Sequence, residues 1–360
     1  MNNLERFRKQ YPLELDEAVL ITSDINRSYL TGFRSSAGLL VIFKNSAYFF
    51  LDFRYMEMAQ IARNKGMIPT EISIIPIKNG PYQNVGVLFQ EKGIRRYQFE
   101  DYSVSYKKAL DMKSMFPTLE QNCLGNAVEN LRKVKSQKEL NKIIQAQKIT
   151  DEAFSYILGI ISPRMTEREL ALELDFHVLK LGAEAMAFET IVVSGQNSAL
   201  PHGRPQDNPL TPNGFITIDF GAQLDGYCSD MTRTVSLGKA DEPMKKVYST
   251  VLDAQNAAFS VIKGGVAGNV VDDAARRVIN KAGYEGCFGH SLGHSLGMLV
   301  HESPNFAPTY NTPINTGAVM SVEPGIYLNQ TYGVRIEDIV YVTADGFINL
   351  TQSPKNLLEL

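Results

Sequence analysis

The chain has 360 residues, 44% apolar and 21% charged, enough for a sizeable core and long for a single domain. A formal net charge of -3 without a basic run offers no field for capturing nucleic acid. The opening residues 1–10 are polar and lack a signal-type apolar stretch, the run 37–43 is too short to span a bilayer, and three scattered cysteines form no CxxC pair, so the expectation is a reduced, cytoplasmic protein with no membrane partner.

In chain order, Val19 to Thr22 reads as a buried strand, and Leu39 to Phe43 with Tyr48 to Leu51 as a hairpin around Lys44-Asn45-Ser46. Phe53 to Asn64 has helical spacing, and Glu71 to Ile77 and Tyr97 to Glu100 are further strands. This alternation predicts a smaller α/β domain over residues 1–125. A domain boundary falls in the polar segment Asn122 to Lys135, which carries Gly125, and residues 126–135 read as a linker. Capping boxes at Ser136/Glu139 and Thr166/Glu169 then open two helices, the second closed by Gly182. Helices are also predicted over Pro243 to Ile262 and Val270 to Ala282. Strands are predicted over Phe215 to Gln223, Tyr227 to Leu237, Ala318 to Tyr327 and Val334 to Thr343. Because strands and helices segregate in blocks, residues 136–360 read as α+β with antiparallel pairing.

Chemistry concentrates in that second half. In ITIDFGAQLDGYCSDMTRT, Asp219 and Asp230 sit in two strand-like runs joined near Leu224-Asp225-Gly226. A turn at Leu224-Asp225 sets the two carboxylates directly opposite each other. A turn at Asp225-Gly226 makes them diagonal neighbours on one face, and a three-residue loop would put them on opposite faces. Two close carboxylates in a strand-rich core need a proton or a cation. In GHSLGHSLGMLVHESP, His290, His294 and His301 fall within twelve residues beside small residues that allow close approach of a ligand. In MSVEPGIYL and GVRIEDIVYV, Glu323 and Glu337 interrupt apolar strands, which normally exclude unpaired carboxylates. Two aspartates on an exposed hairpin, or glutamates on a solvated face, are the ordinary alternatives for each segment taken singly.

Together, four carboxylates and an imidazole match two divalent cations, and mixed oxygen and nitrogen donors suit manganese, cobalt, iron or zinc. Two such ions about 4 Å apart can share a water and lower its pKa toward neutrality.

With these motifs in this order, the chain resembles the pita-bread metallopeptidases, in the aminopeptidase P and prolidase branch, over nearly its whole length. The resemblance implies a creatinase-like α/β N-terminal domain followed by a pita-bread catalytic domain. It implies metal ligands Asp219, Asp230, His294, Glu323 and Glu337, with Asp230 and Glu337 bridging two ions, manganese being the expected metal. From FETIVVSGQNSALPHGRP it implies His202 beside the substrate carbonyl, with His301 at the tetrahedral intermediate, His290 lining the proline pocket and Glu323 as general base. Homodimerisation and proline-containing peptide substrates are implied as well. One departure matters: some prolidases carry an arginine directly after HExP to hold a dipeptide carboxylate, and here that position is Asn305. The expected activity is therefore an Xaa-Pro aminopeptidase on longer peptides. An Xaa-Pro dipeptidase, with another arginine such as Arg34 reaching in, is the alternative. A non-catalytic binding protein on this scaffold is the rival of another class.

Overall fold

The apolar runs of the first hundred residues become the strands of one mixed sheet, and the polar stretches between them become helices. The computed structural model describes residues 1–78 and 80–360. The chain divides into two units, Met1–Leu131 and Arg132–Leu360. The first contains, in order, α1 (Asn3–Gln10), β1 (Glu17–Ile21), α2 (Asp24–Thr31), β2 (Leu39–Phe43), β3 (Ala47–Leu51), α3 (Phe53–Asn64), β4 (Ile72–Pro76), α4 (Pro81–Glu91), β5 (Arg96–Phe99), α5 (Tyr106–Met115) and β6 (Glu120–Cys123). Its six strands lie in the order β4-β3-β2-β1-β5-β6. The predicted hairpin is β2–β3, paired from Leu39↔Phe50 to Ile42↔Ala47. A short helix, α6 (Ala127–Arg132), runs through residues read from sequence as linker and ends at the division point.

The second unit begins with α7 (Gln137–Leu158) and α8 (Glu167–Lys180), and both predicted capping boxes form. There follow β7 (Ala185–Met186), β8 (Ile191–Ser194), a 3₁₀ turn (Gly195–Ala199), β9 (Gly214–Phe220), β10 (Ala222–Leu224), β11 (Tyr227–Cys228) and β12 (Met231–Leu237). Next come α9 (Glu242–Phe259), α10 (Gly268–Lys281), β13 (Gly293–Ser295), β14 (Glu302–Phe306), β15 (Val319–Val322), β16 (Gly325–Leu328), β17 (Tyr332–Arg335), β18 (Asp338–Val342) and β19 (Phe347–Asn349). Every strand pair here is antiparallel.

Each helix pair covers its own sheet. Phe154, Ile157, Leu170 and Leu174 of α7 and α8 pack on Ile216, Ile218, Phe220 and Met231. Val247, Val251, Val271 and Ala275 of α9 and α10 pack on Met320, Val322, Val340 and Val342. Alternation then dictates the rest: with Ile218 and Phe220 turned to the helices, Thr217 and Asp219 face the other side of β9. All four long strands predicted for this unit are interrupted, at Gly221, Ser229-Asp230, Glu323-Pro324 and Ile336-Glu337. Three of the four breaks hold a carboxylate, because converging acids must leave the regular ladder to point at a common centre.

Candidate active site

The first pair of carboxylates is placed by a two-residue turn. Leu224 pairs with Tyr227, so the turn is Asp225-Gly226, both with positive φ (49° and 77°), the combination of a type I′ hairpin. Asp219 pairs with Thr232, which makes Asp230 its diagonal neighbour on the same face. Glycine is required at 221, where an added Cβ would meet the Ser229 carbonyl at 2.0 Å.

The imidazole arrives on β13. Gly293 lies so tightly against β15 that a Cβ would meet the Ser321 carbonyl at 2.1 Å. Ser321 Oγ accepts from the His294 amide at 3.0 Å and donates to Glu323 Oε1 at 3.0 Å, tying the histidine strand to the glutamate. His294 Nδ1 donates to the Ser295 carbonyl at 3.2 Å, which turns Nε2 toward Glu323 Oε1 at 3.3 Å and Asp230 Oδ2 at 3.7 Å. Glu337 hangs from β12: its amide donates to the Thr232 carbonyl at 3.0 Å and Thr232 Oγ1 donates to its Oε2 at 2.7 Å. Asp230, His294 and Glu337 each present a ligand atom, all within 4.8 Å of one another.

This charge is unbalanced. Burial, followed by the charges of Glu337 and Asp219, pushes the Asp230 carboxyl well above its ordinary range. Burial and then Glu323 and Asp219 do the same to Glu337. Burial works against ionisation of Glu323 too, but the hydrogen bond and charge of His294 outweigh it and hold that carboxyl down at about 2. Burial lowers His294, yet Glu323 more than offsets this and raises it. Asp219 Oδ1 and Glu337 Oε1 are buried without a donor. Orphaned carboxylate oxygens beside an imidazole lone pair are the donor set a hard-to-borderline divalent cation satisfies, so the residues fit a metal.

These five residues share a cavity of about 540 Å³ with His202, His290 and His301. His301 stacks edge-on against His294 with ring centroids 4.3 Å apart, and burial lowers its pKa, favouring the neutral ring. All eight site residues expected from sequence therefore lie at one cavity. Asn305 also lines it, while Arg34 is an exposed residue of the first unit.

Sequence reasoning passed over a second set. Arg335 donates to Asp219 Oδ2 at 2.7 Å, to Tyr327 Oη at 2.8 Å, to Thr232 Oγ1 at 3.0 Å and to the Pro201 carbonyl at 3.2 Å. Tyr327 Oη in turn lies 2.9 Å from His290 Nε2, whose Nδ1 donates to the Ser291 carbonyl. Tyr327 thus donates to His290 while accepting from Arg335. The available signal was Arg335 two residues before Glu337, on the same strand face by period two. A further buried cluster stands behind β13. Glu302 accepts from Arg132 at 2.6 Å and lies 3.4 Å from Lys135, whose Nζ donates to Ser295 Oγ at 3.1 Å, bracing the segment between His294 and His301.

A buried carboxylate cluster with an aimed imidazole, on paired helix-covered antiparallel sheets, defines a metal-dependent hydrolase. The chain belongs to metallopeptidase family M24, whose model matches residues 141–344, and residues 4–134 match the creatinase/prolidase N-terminal domain. It is 33% identical over 344 residues to an Xaa-Pro dipeptidase of Pyrococcus horikoshii, covering 95% of this chain and 94% of that one. Among solved structures, an Xaa-Pro dipeptidase from Bacillus anthracis superposes with TM-score 0.93 at 36% identity, covering 99% of both chains. An X-Pro aminopeptidase from Thermotoga maritima superposes with TM-score 0.91 at 34% identity, covering 99% of this chain and 100% of that one. Among the described residues no helix is long and apolar enough to cross a membrane.

Proposed function

We propose that this metallopeptidase is an Xaa-Pro dipeptidase that holds two divalent ions, manganese by preference, on Asp219, Asp230, His294, Glu323 and Glu337. The observation that carries the reading is the convergence of those five groups, with two orphaned carboxylate oxygens, in the lining of one cavity. The likeness to two Xaa-Pro dipeptidases at 33% and 36% identity supports the dipeptide preference. Cations bound there would supply Lewis-acid polarisation of the scissile carbonyl and a water of near-neutral pKa.

The chain's own groups do the remaining work. Glu323, in the lining of the cavity beside the proposed ions, takes the proton of the attacking water and delivers it to the leaving nitrogen. That nitrogen has no hydrogen in the peptide, because proline's amide is tertiary, so the delivered proton completes the secondary amine. His301 and His202 hydrogen-bond the oxyanion, for which a neutral His301 ring donates through one nitrogen. His290, fixed by Tyr327 and Ser291, borders the ring pocket.

Purified enzyme assayed with and without manganese on Ala-Pro and Ala-Pro-Ala tests this. Metal-dependent cleavage of Ala-Pro supports the reading, and cleavage of the tripeptide alone refutes the dipeptide preference. The aminopeptidase reading keeps one specific support, the neutral Asn305 in the cavity lining. Cytosolic residence, to which the reduced thiols of Cys123, Cys228 and Cys287 are suited, and homodimerisation, checked by sedimentation, complete the proposal.

A further inference from the structure

A dipeptide carries its carboxylate on the atom next to the scissile nitrogen, so the carboxylate oxygens lie only about 3 to 4 Å from the bond that breaks. When the scissile carbonyl reaches the acid cluster, the carboxylate is inside the same cavity, where the charge of the two proposed ions is already balanced by Asp219, Asp230, Glu323 and Glu337. It needs a cation. Of the described residues lining the cavity, two are arginines, Arg204 and Arg335. Arg335 is spent: it is buried, and its donors are committed to Asp219, Tyr327, Thr232 and the Pro201 carbonyl. Asn305 is neutral.

Arg204 is in the opposite condition. Its side chain is 81% exposed and its partner is Glu189 Oε2 at 3.3 Å, itself on an exposed side chain at the same cavity wall. Exposed ion pairs of this kind are worth little, so exchanging Glu189 for a substrate carboxylate costs little. The backbone beneath it is pinned. The Arg204 carbonyl accepts from Asn197 Nδ2 at 3.1 Å, and the buried Glu167 accepts from that same Asn197 at 2.7 Å and from the Gln206 amide at 2.9 Å. An exposed guanidinium on a hydrogen-bonded stem, two residues from His202, is suited to a bidentate grip on a carboxylate.

We propose that Arg204 recognises the free C-terminal carboxylate of the dipeptide, with Glu189 holding it when the cavity is empty. The assignment rests on the dipeptidase reading and supplies the charge that Asn305 lacks. The test uses the manganese-loaded full-length enzyme on Ala-Pro and on Ala-Pro amide, which differ only at that group, an anionic carboxylate against a neutral amide. In Arg204→Met, the ratio of kcat/KM for Ala-Pro to that for the amide is expected to fall about 10- to 100-fold, carried mainly by KM. Arg204→Lys should fall between, because it keeps the charge and loses the bidentate geometry. Glu189→Gln should raise the ratio. Partial unfolding of a variant scales both activities alike and leaves the ratio untouched. An unchanged ratio in Arg204→Met overturns the assignment while leaving the dipeptidase reading standing. A wild-type enzyme inert on Ala-Pro yet active on Ala-Pro-Ala defeats that reading itself.

Discussion

Thr232 shows how much of the site depends on residues that touch no substrate. Its hydroxyl has one hydrogen, given to Glu337, and accepts from Arg335 Nε, so one small side chain orients both a proposed ligand and the cation that balances Asp219. Thr232→Val keeps the shape and leaves both partners short of a hydrogen bond. Metal affinity is expected to fall about 10- to 100-fold, the usual cost of losing an outer partner of a ligand, read by competition with a chromophoric chelator. Asp230→Ala removes a proposed ligand itself and is expected to abolish turnover and metal retention together. Near-normal turnover in a well-folded, pure Asp230→Ala preparation contradicts the ligand set. Motif reading passed over Tyr327 and Arg335 for a physical reason: a tyrosine or arginine in a strand is ordinary, and only tertiary contacts, such as Arg335 to Asp219 and Tyr327 to His290, reveal their work.

At the scale of elements, the hairpin between β9 and β12 decides whether two carboxylates become one site. Three turns were compatible with the sequence, and two of them shared a face. The turn is Asp225-Gly226, the position where a positive φ is cheapest for the second residue. Inserting one glycine between Cys228 and Ser229, with the Asp225-Gly226 turn kept, moves Asp230 one position along the strand and so to the opposite face from Asp219. The expected outcome is lost metal binding by elemental analysis, with the far-UV circular dichroism kept. Full metal retention would show that a bulge absorbs the extra residue. The strands themselves were legible from period two, but not their interruptions. The run from Ala318 to Tyr327 reads as continuous, whereas the chain leaves the ladder at Glu323, whose amide donates instead to Leu292.

At the scale of the molecule, the acid cluster is a stability liability that cations relieve. Asp230 and Glu337 have carboxyls raised well above 3.8 and 4.5 in the folded state, so the folded protein holds protons there that the unfolded chain has released. Stability from such groups is fully present below those ordinary values and is lost as pH rises through the raised ones. Glu323, depressed to about 2, acts oppositely, losing its contribution only in strong acid. Metal-free protein is therefore expected to have a higher Tm near pH 5 than near pH 8, and saturating manganese should reverse that order. At 100 times Kd the ion adds about 2.7 kcal/mol by mass action. Calorimetry across this range checks it, and a metal-free Tm that climbs steadily with pH counts against the cluster.

Composition, periodicity and capping were enough to indicate the α/β-then-α+β order and the helices at Gln137 and Glu167, and acids in apolar strands with clustered histidines pointed to seven of the site residues; His202 and the roles of all eight came from the family resemblance. Only the tertiary structure decided the turn at Asp225-Gly226, the breaks in the strands, the Arg335–Tyr327–His290 chain and the exposed arginine at the cavity wall. Those depend on which distant strands lie face to face, and a hydrogen bond between residues a hundred positions apart leaves no period in the sequence.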